Sequence, residues 1–411
     1  MNTRRIIRLK RPDRFNWHAL KHEGHFLFRR VADRDKCLLF VGQRSSGTPA
    51  FTGVIANDWW YGHLQYDLKN ELEDLHSRLP PRTDMPLQHW SVPRSVLVWS
   101  STGSDVELHV HEDDAADGLA FSEQFLRSAE GTVSIDPEWH LRTSHERYLQ
   151  HAGRLLHHIQ QGDIYEVNYC IERCTDLRDL DVFGLFGSFD RRSEASFAAF
   201  HRHGDHFTLC ASPERFLAFD LERVIAQPMK GTRPRASDPE KDRRAAFELA
   251  ADEKERSENI MALDVARHDL SRVADGSSVL VEELCVVRPH RHVHQMTSTV
   301  SARIREGFSP IDVVHAAFPM ASMTGAPKIR AMQLIDEYED QRRGLFSGSL
   351  GYFSPDGSAD LNVVIRSVLY DRSSGSARVL TGSALTAACD PQKEWEECEL
   401  KASSILKALR S

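Results

Sequence analysis

The chain has 411 residues, 41% of them hydrophobic, and 52 Lys and Arg against 60 Asp and Glu give a formal net charge of −8. That composition belongs to a globular protein of one large or two ordinary domains and excludes a disordered chain. It also excludes a global basic field for nucleic acid or an anionic membrane, so an anionic ligand must be held by a local cluster. The first residues, Met1-Asn-Thr-Arg-Arg-Ile-Ile-Arg, are basic but contain no apolar run of signal-peptide length, and no stretch reaches the length of a membrane span. A cytoplasmic location is expected. Seven scattered cysteines, an odd number, predict free thiols in a reducing compartment.

In chain order, residues 1 to about 140 read as a sheet-rich segment. Cys37-Leu-Leu-Phe-Val and Arg94-Ser-Val-Leu-Val-Trp are strands, Trp59 to Glu73 passes from an aromatic strand into a short helix, and Asp113 to Gly118 is a loop near the boundary. From 141 to 411 the texture changes. Thr143-Ser-His-Glu has the capping-box pattern and opens a helix through Gln161, with Tyr148, Leu155 and Ile159 on one buried face. Ile164-Tyr-Glu-Val-Asn-Tyr-Cys-Ile alternates as a strand, and strands at Phe207 and Phe216 bracket Ser212-Pro-Glu-Arg, a turn that exposes Glu214. A helix over roughly 238–273, broken once, precedes strands at 279–287 and 292–300. Pro327 opens another helix, strands follow at 348–353, 361–370 and 377–383, and Asp390-Pro391 starts a helix to Leu409. Hairpins with interspersed helices predict an α+β fold, and no Gly-x-Gly-x-x-Gly or phosphate-loop pattern is present.

Several stretches carry chemistry. Pro228-Met-Lys-Gly sets Lys230 between a fixed φ and a glycine, on a constrained turn followed by Arg233 and Arg235. In the last helix Glu394, Glu397 and Lys401 share a face, and in the helix over roughly 238–273 Glu258 falls among apolar residues. Carboxylates on two such helices are ligands of the kind a magnesium ion takes. Thr324-Gly-Ala-Pro-Lys places backbone amides at a helix N-terminus, a cradle for an anion. His290, His292 and His294 alternate, but Arg288 and Arg291 crowd them with positive charge, so zinc is not expected there.

Gly162-Asp-Ile-Tyr-Glu-Val-Asn, Ser212-Pro-Glu-Arg-Phe, Pro228-Met-Lys-Gly-Thr-Arg-Pro-Arg, Glu258-Asn-Ile-Met, Thr324-Gly-Ala-Pro-Lys-Ile-Arg, Ile365-Arg366 and Asp390-Pro-Gln-Lys-Glu-Trp-Glu-Glu together resemble the chorismate-utilising enzyme family. The resemblance runs from about residue 143 to 408. It implies the anthranilate synthase component I-like fold, antiparallel sheets packed as a sandwich with helices on the outside. It further implies that residues 141–411 form the catalytic domain and residues 1–140 a sheet-rich N-terminal domain. Glu258 and Glu397 would bind Mg²⁺, with Glu394 close by. The metal would hold the ring carboxylate of chorismate, assisted by amides of Thr324, Gly325, Gly382, Ser383 and Ala384. Arg366 would grip the enolpyruvyl carboxylate, and Lys401 would support the acids.

Lys230 separates the branches. Anthranilate synthases carry alanine there, and this chain resembles the branch that forms 4-amino-4-deoxychorismate, whose lysine attacks ring carbon 2 as a nucleophile. That role needs a neutral amine, which burial beside cations would favour. Glu214 matches the general acid that protonates the departing hydroxyl. Anthranilate synthesis, or isochorismate and salicylate synthesis with the lysine as a base, are the alternatives. No segment reads as a glutaminase, so a glutamine amidotransferase subunit supplying ammonia is the expected partner. Gln295, His268, Met320-Ala321 and Ser383-Ala384 depart from the family's usual residues.

Overall fold

The computed structural model describes residues 4–128, 131–221, 223–290 and 293–410. Among these, twelve strands form one antiparallel sheet and ten form a second. The sheets face each other across one apolar core in which Leu27, Leu38 and Phe40 of the larger sheet meet Tyr61, Leu217 and Leu361 of the smaller. Helices lie on the outside. Val182–Ser193 packs Phe186 and Phe189 under the far face of the larger sheet, and His145–Gln160 and Pro391–Leu409 cover its strand Glu166–Asp176. This is the expected α+β sandwich.

Both segments of the chain build both sheets. His25–Val31, Lys36–Val41 and Ser95–Trp99 join the larger sheet beside Phe197–His203, while Trp60–Leu64 pairs with Ser349–Phe353 in the smaller one. No helix is long and apolar enough to cross a membrane. The seven cysteines are free thiols.

Three elements differ from the sequence reading. Asp113 to Gly118 is not a loop: a short turn at 112–114 leads into helix Ala115–Phe125, because Gly118, Ser122 and Phe125 recur at helical spacing and bury. Gly118 leaves just enough room for a Val110 methyl, 3.1 Å from where a Cβ would stand. The N-cap of helix His145–Gln160 is Ser144, which accepts from the Arg147 amide, and Thr143 instead donates to Asp340. Most consequentially, the continuous strand expected over 361–370 is two strands, Ser358–Val363 in the smaller sheet and Ser367–Asp371 in the larger.

That break is one half of a crossing ribbon. His206–Ser212 belongs to the larger sheet and Arg215–Asp220 to the smaller, and each strand pairs with its counterpart on the other side of the crossing: Cys210 opposite Ser367, Arg215 opposite Asn362. The chain therefore switches sheets twice at the same place, at Pro213-Glu214 and at Val364 to Arg366. A strand's side chains alternate between faces, whereas a residue at a sheet switch can be aimed elsewhere, here into the cleft beside the core.

Candidate active site

The cleft is a cavity of about 490 Å³ lined by both sheet switches, the strand Met229–Pro234 and two helices. Glu214 comes from one switch and Arg366 from the other. Arg366 has φ +53°, and its Nη1 donates to Ser404 Oγ at 2.6 Å. The Ser212-Pro-Glu-Arg turn does not expose Glu214. The glutamate is 4% exposed, because Ser212 Oγ and the Val363 amide tie the turn down inside the ribbon. Burial lifts its carboxyl to about 7, against the opposing pull of the Lys230 charge.

Lys230 sits on an edge strand rather than in a free turn. The pairing of Met229–Pro234 with Val293–Arg303 shifts register between Met229 and Thr232, and Gly231 takes φ +90° inside that irregularity. A Cβ on Gly231 would stand 3.1 Å from Glu255, so this bulge is open to glycine on both counts. Asn259 holds the bulge from the adjoining helix by donating to the carbonyls of Lys230 and Met296. The bulge aims Lys230 at the cavity, where Nζ donates to Glu166 Oε1 at 2.5 Å.

This pairing corrects the expected protonation state. Lys230 lies among carboxylates, not cations. Burial pulls its pKa down, but Glu166, Glu258 and Glu397 more than reverse that, and the ammonium is held well above the ordinary lysine range. A neutral amine therefore has to be produced during the reaction, and Glu166 is the group in contact to receive the proton.

The acids gather where two helices meet. Asp252 caps Glu253–Ser271 by accepting from the amides of Lys254 and Glu255, and Asp390 caps Pro391–Leu409 by accepting from Gln392. Glu255 and Glu258 from the first helix, and Glu394 and Glu397 from the second, line the cavity with Lys254 and Lys401. Lys254 Nζ lies 3.1 Å from Glu394 and 3.7 Å from Glu258, and Lys401 Nζ lies 2.6 Å from Glu397 and donates to the Gly382 carbonyl at 2.7 Å. Burial raises Glu258 to about 7 and, with the repulsion of neighbouring carboxylates, raises Glu255 and Glu394. Lys401 and its fellow lysines outweigh burial at Glu397 and lower it. Glu258 Oε1 is buried without a hydrogen-bond partner. An orphaned carboxylate oxygen among further carboxylates suits a hard divalent cation, which takes oxygen ligands and relieves their repulsion.

Thus the cavity brings together Lys230, Glu214, Arg366, Gly382, Ala384, Lys401, Glu258, Glu394 and Glu397. It does not bring in Thr324, Gly325 or Ser383. The Thr324 amide is not free, since it donates to Ala321. Gly325-Ala326 pairs with strand Glu166–Asp176, and a Cβ on Gly325 would stand 2.1 Å from the Glu166 carbonyl, so that glycine serves backbone approach. Ser383 points its hydroxyl away from the cavity, 3.1 Å from Tyr148. Sequence reasoning missed Glu166, Lys254 and Glu255 as site residues. Glu166 lies in a quoted motif, but nothing local shows that it meets a lysine 64 residues away. Of the departures, Gln295 lines the cavity, while His268 turns its side chain to solvent. His294 pairs with Asp242, and His292 lies outside the described residues.

A cleft at the sheet switch of an antiparallel sandwich, with a buried lysine, a protonatable glutamate and a cluster of metal-type acids, has the groups of an enzyme active site. Residues 17–407 match the family described as chorismate binding enzyme, and the chain belongs to that family. It is 38% identical over 365 residues to an aminodeoxychorismate synthase of Streptomyces griseus, covering 85% of this chain and 50% of that protein. It is 34% identical over 350 residues to aminodeoxychorismate synthase component 1 of Klebsiella aerogenes, covering 85% and 77%. It is 33% identical over 373 residues to anthranilate synthase component 1 of Thermus thermophilus, covering 88% and 78%. The fold matches the crystal structure of anthranilate synthase component I from Streptococcus pneumoniae with TM-score 0.76 at 21% identity, over 98% of this chain and 92% of that one. The chain thus spans half the length of the Streptomyces protein and about three quarters of the other two relatives by sequence.

Proposed function

We propose that this protein converts chorismate and ammonia to 4-amino-4-deoxychorismate, the precursor of p-aminobenzoate in folate biosynthesis, as an aminodeoxychorismate synthase component 1. The observation that carries the proposal is Lys230 in the cavity, with a carboxylate acceptor at 2.5 Å and a glutamate near 7 lining the same space. In this reading residues 141–411 supply every catalytic group and residues 1–140 complete both sheets around them.

Glu258 and Glu397, with Glu394 beside them, would hold Mg²⁺, which supplies positive charge for the ring carboxylate of the substrate. Arg366 binds the enolpyruvyl carboxylate, and its hydrogen bond to Ser404 fixes the direction of the guanidinium. Glu166 takes a proton from Lys230. The free amine forms a bond to ring carbon 2, both ring double bonds shift by one position toward carbon 4, and the carbon 4 to oxygen bond breaks as Glu214 gives its proton to the oxygen, which leaves as water. Ammonia then attacks carbon 4, both double bonds shift back, and the carbon 2 to nitrogen bond breaks with its electron pair returning to the Lys230 amine. Lys230 recovers its proton from Glu166, and Glu214 takes the extra proton of the incoming nitrogen. Glu214 is suited to both steps because a group near 7 gives and takes a proton at similar cost at neutral pH.

Ammonia would come from a glutamine amidotransferase partner. Five of the seven cysteines here are buried, which does not suit a glutaminase nucleophile in this chain. A cytoplasmic location fits these free thiols.

The test is product chromatography after incubation with chorismate, Mg²⁺ and an ammonium salt, then with glutamine in the presence and absence of the amidotransferase. 4-Amino-4-deoxychorismate is expected, with glutamine serving only when the partner is present. Anthranilate or isochorismate as the main product would assign the chain to another branch of its family.

A further inference from the structure

Away from the cavity, five histidines meet between the two sheets. His25 and His203 are directly opposite each other in the larger sheet, and His63 and His89 are directly opposite in the smaller. His201 is two residues before His203 and so shares its face. The rings touch across the gap, His89 and His203 with centroids 4.6 Å apart and His63 and His201 5.0 Å apart, and within the larger sheet His25 and His203 are 4.6 Å apart. His63 and His201 are fully enclosed, whereas His25, His89 and His203 are half-buried toward the rim.

Among the described residues, His25, His89 and His203 are the group whose ligand atoms converge in the way a metal site requires. One ring nitrogen from each lies within 4.8 Å of the others. His25 Nδ1 is buried with no hydrogen-bond partner, as are the Nδ1 atoms of His63 and His201 behind it. Gln43 Oε1 and Ser91 Oγ stand 3.1 and 2.8 Å from His89 Nε2 and orient that ring, the kind of outer support that metal-binding imidazoles have. Burial first, and mutual repulsion of the rings second, hold His203 and His63 far below the ordinary histidine range, and burial also lowers His25 and His89. At neutral pH the rings are uncharged and keep their lone pairs.

We propose that His25, His89 and His203 bind a zinc ion, with water in the fourth position, and that the ion ties the two sheets together at this end of the sandwich. Nitrogen is the ligand this borderline ion shares most readily with sulfur, and three histidines plus water is an established zinc coordination set. In a tetrahedral site the nitrogens stand ~3.3 Å apart, so the widest pair has to close by about 1.5 Å, within the reach of side-chain rotation at the rim. The acid cavity is a different kind of site. Its oxygen donors suit Mg²⁺, so the two metals are sorted by ligand chemistry.

The experiment uses the full chain, stripped with chelator and kept in excess MgCl₂ so that the acid cavity does not take up zinc. ZnCl₂ is titrated against a chromophoric chelator, bound metal is counted after gel filtration, and thermal midpoints are recorded. One zinc per chain is expected, with a raised midpoint. His89→Gln and His203→Gln, taken from opposite sheets, should each weaken binding by about 100-fold or more, while Glu397→Gln leaves it unchanged. X-ray absorption of the wild-type zinc form should show three imidazole nitrogens at about 2.0–2.1 Å. That spectrum keeps the proposal testable even where a variant fails to fold. No stoichiometric zinc on the wild type, wild-type affinity in both histidine variants, or an all-oxygen shell would overturn it.

Discussion

Two regions of this molecule bury charge, and they do so in opposite ways. In the sandwich core Arg29 donates to Asp360 at 2.5 Å across the two sheets. Arg215 donates to the other oxygen of Asp360 at 2.8 Å and to both oxygens of Asp33. Arg343 is likewise saturated, donating to Glu339, Ser347 and the carbonyls of Met323 and Asn168. There the charges are matched in number and geometry, and the carboxylate of Asp360 accepts from two guanidinium groups. In the cavity Glu258 is left with an orphaned oxygen, four glutamates are pushed upward, and Lys230 is pinned by a carboxylate it would have to release to react. Matched charge holds a fold in register even where one donor, Arg29 Nε, lacks a hydrogen-bond partner, while unmatched charge is unfavourable until something binds. The contrast marks which cluster is structural and which is functional without reference to any relative.

Substitutions can break that contrast, beginning with the largest effect. Lys230→Ala should lower kcat by about 10⁴-fold or more, about 5.5 kcal/mol in the barrier, with KM for chorismate changed only a few-fold, since the carboxylate-binding groups remain. Steady-state kinetics, with mass spectrometry of the parent protein and chorismate in the absence of ammonia, checks it. A variant at the wild-type rate, and no adduct on the parent, would reduce Lys230 to a charge in the pocket.

Next comes the structural side. Arg29→Met should cost about 3–5 kcal/mol in urea denaturation, because it leaves Asp360 buried with one partner fewer. Lys254→Met, which removes a half-exposed ammonium at the rim of the acid cluster, should cost less than about 1 kcal/mol. Equal losses would mean that the two regions do not differ as described.

A smaller effect has the opposite sign. Glu258 has a folded pKa of about 7 against an ordinary 4.5, so the folded protein binds more protons than the unfolded chain between those values. Stability contributed at low pH is lost as pH rises through that window and stays lost above it. Glu258→Gln should therefore stabilise the metal-free protein by about 1–3 kcal/mol at pH 8, while abolishing turnover at ordinary Mg²⁺ concentrations. Denaturation at pH 5 and pH 8 reads this directly, and a destabilised variant at pH 8 would contradict it.

The mildest test is the pH profile. On the proposed mechanism Glu214 gives a proton, so kcat should fall by about tenfold per unit as pH rises above its transition near 7. Mg²⁺ affinity should move the other way, weakening as Glu258 is protonated below about 7. At limiting Mg²⁺ the profile is then bell-shaped, and saturating Mg²⁺ should remove its acidic limb and leave the alkaline one.

Much of this architecture was legible locally. Caps, apolar spacing and alternation located the helices that carry Glu258, Glu394, Glu397 and Lys401, and the strands on either side of Glu214, since these depend on residues a few positions apart. Helix Ala115–Phe125 was missed because its acidic start and Gly118 carry turn signals that burial against Val110 overrides. The break after Val363 was missed because Val364 and Ile365 continue a perfectly good strand pattern, and only pairing with the second sheet makes the chain turn.

By itself, then, the sequence determined the α+β class, the free thiols, the capped helices and the motifs of a family that acts on chorismate. Tertiary structure alone decided that Glu214 is buried, that Arg366 sits at a sheet switch, that Thr324, Gly325 and Ser383 stay out of the cavity, and that Lys230 faces Glu166 rather than other cations. The division has a physical cause. Propensity and capping act within a few residues, whereas burial and the charges that set a pKa come from groups dozens to hundreds of residues away, which only the packing of two sheets brings within a few ångströms.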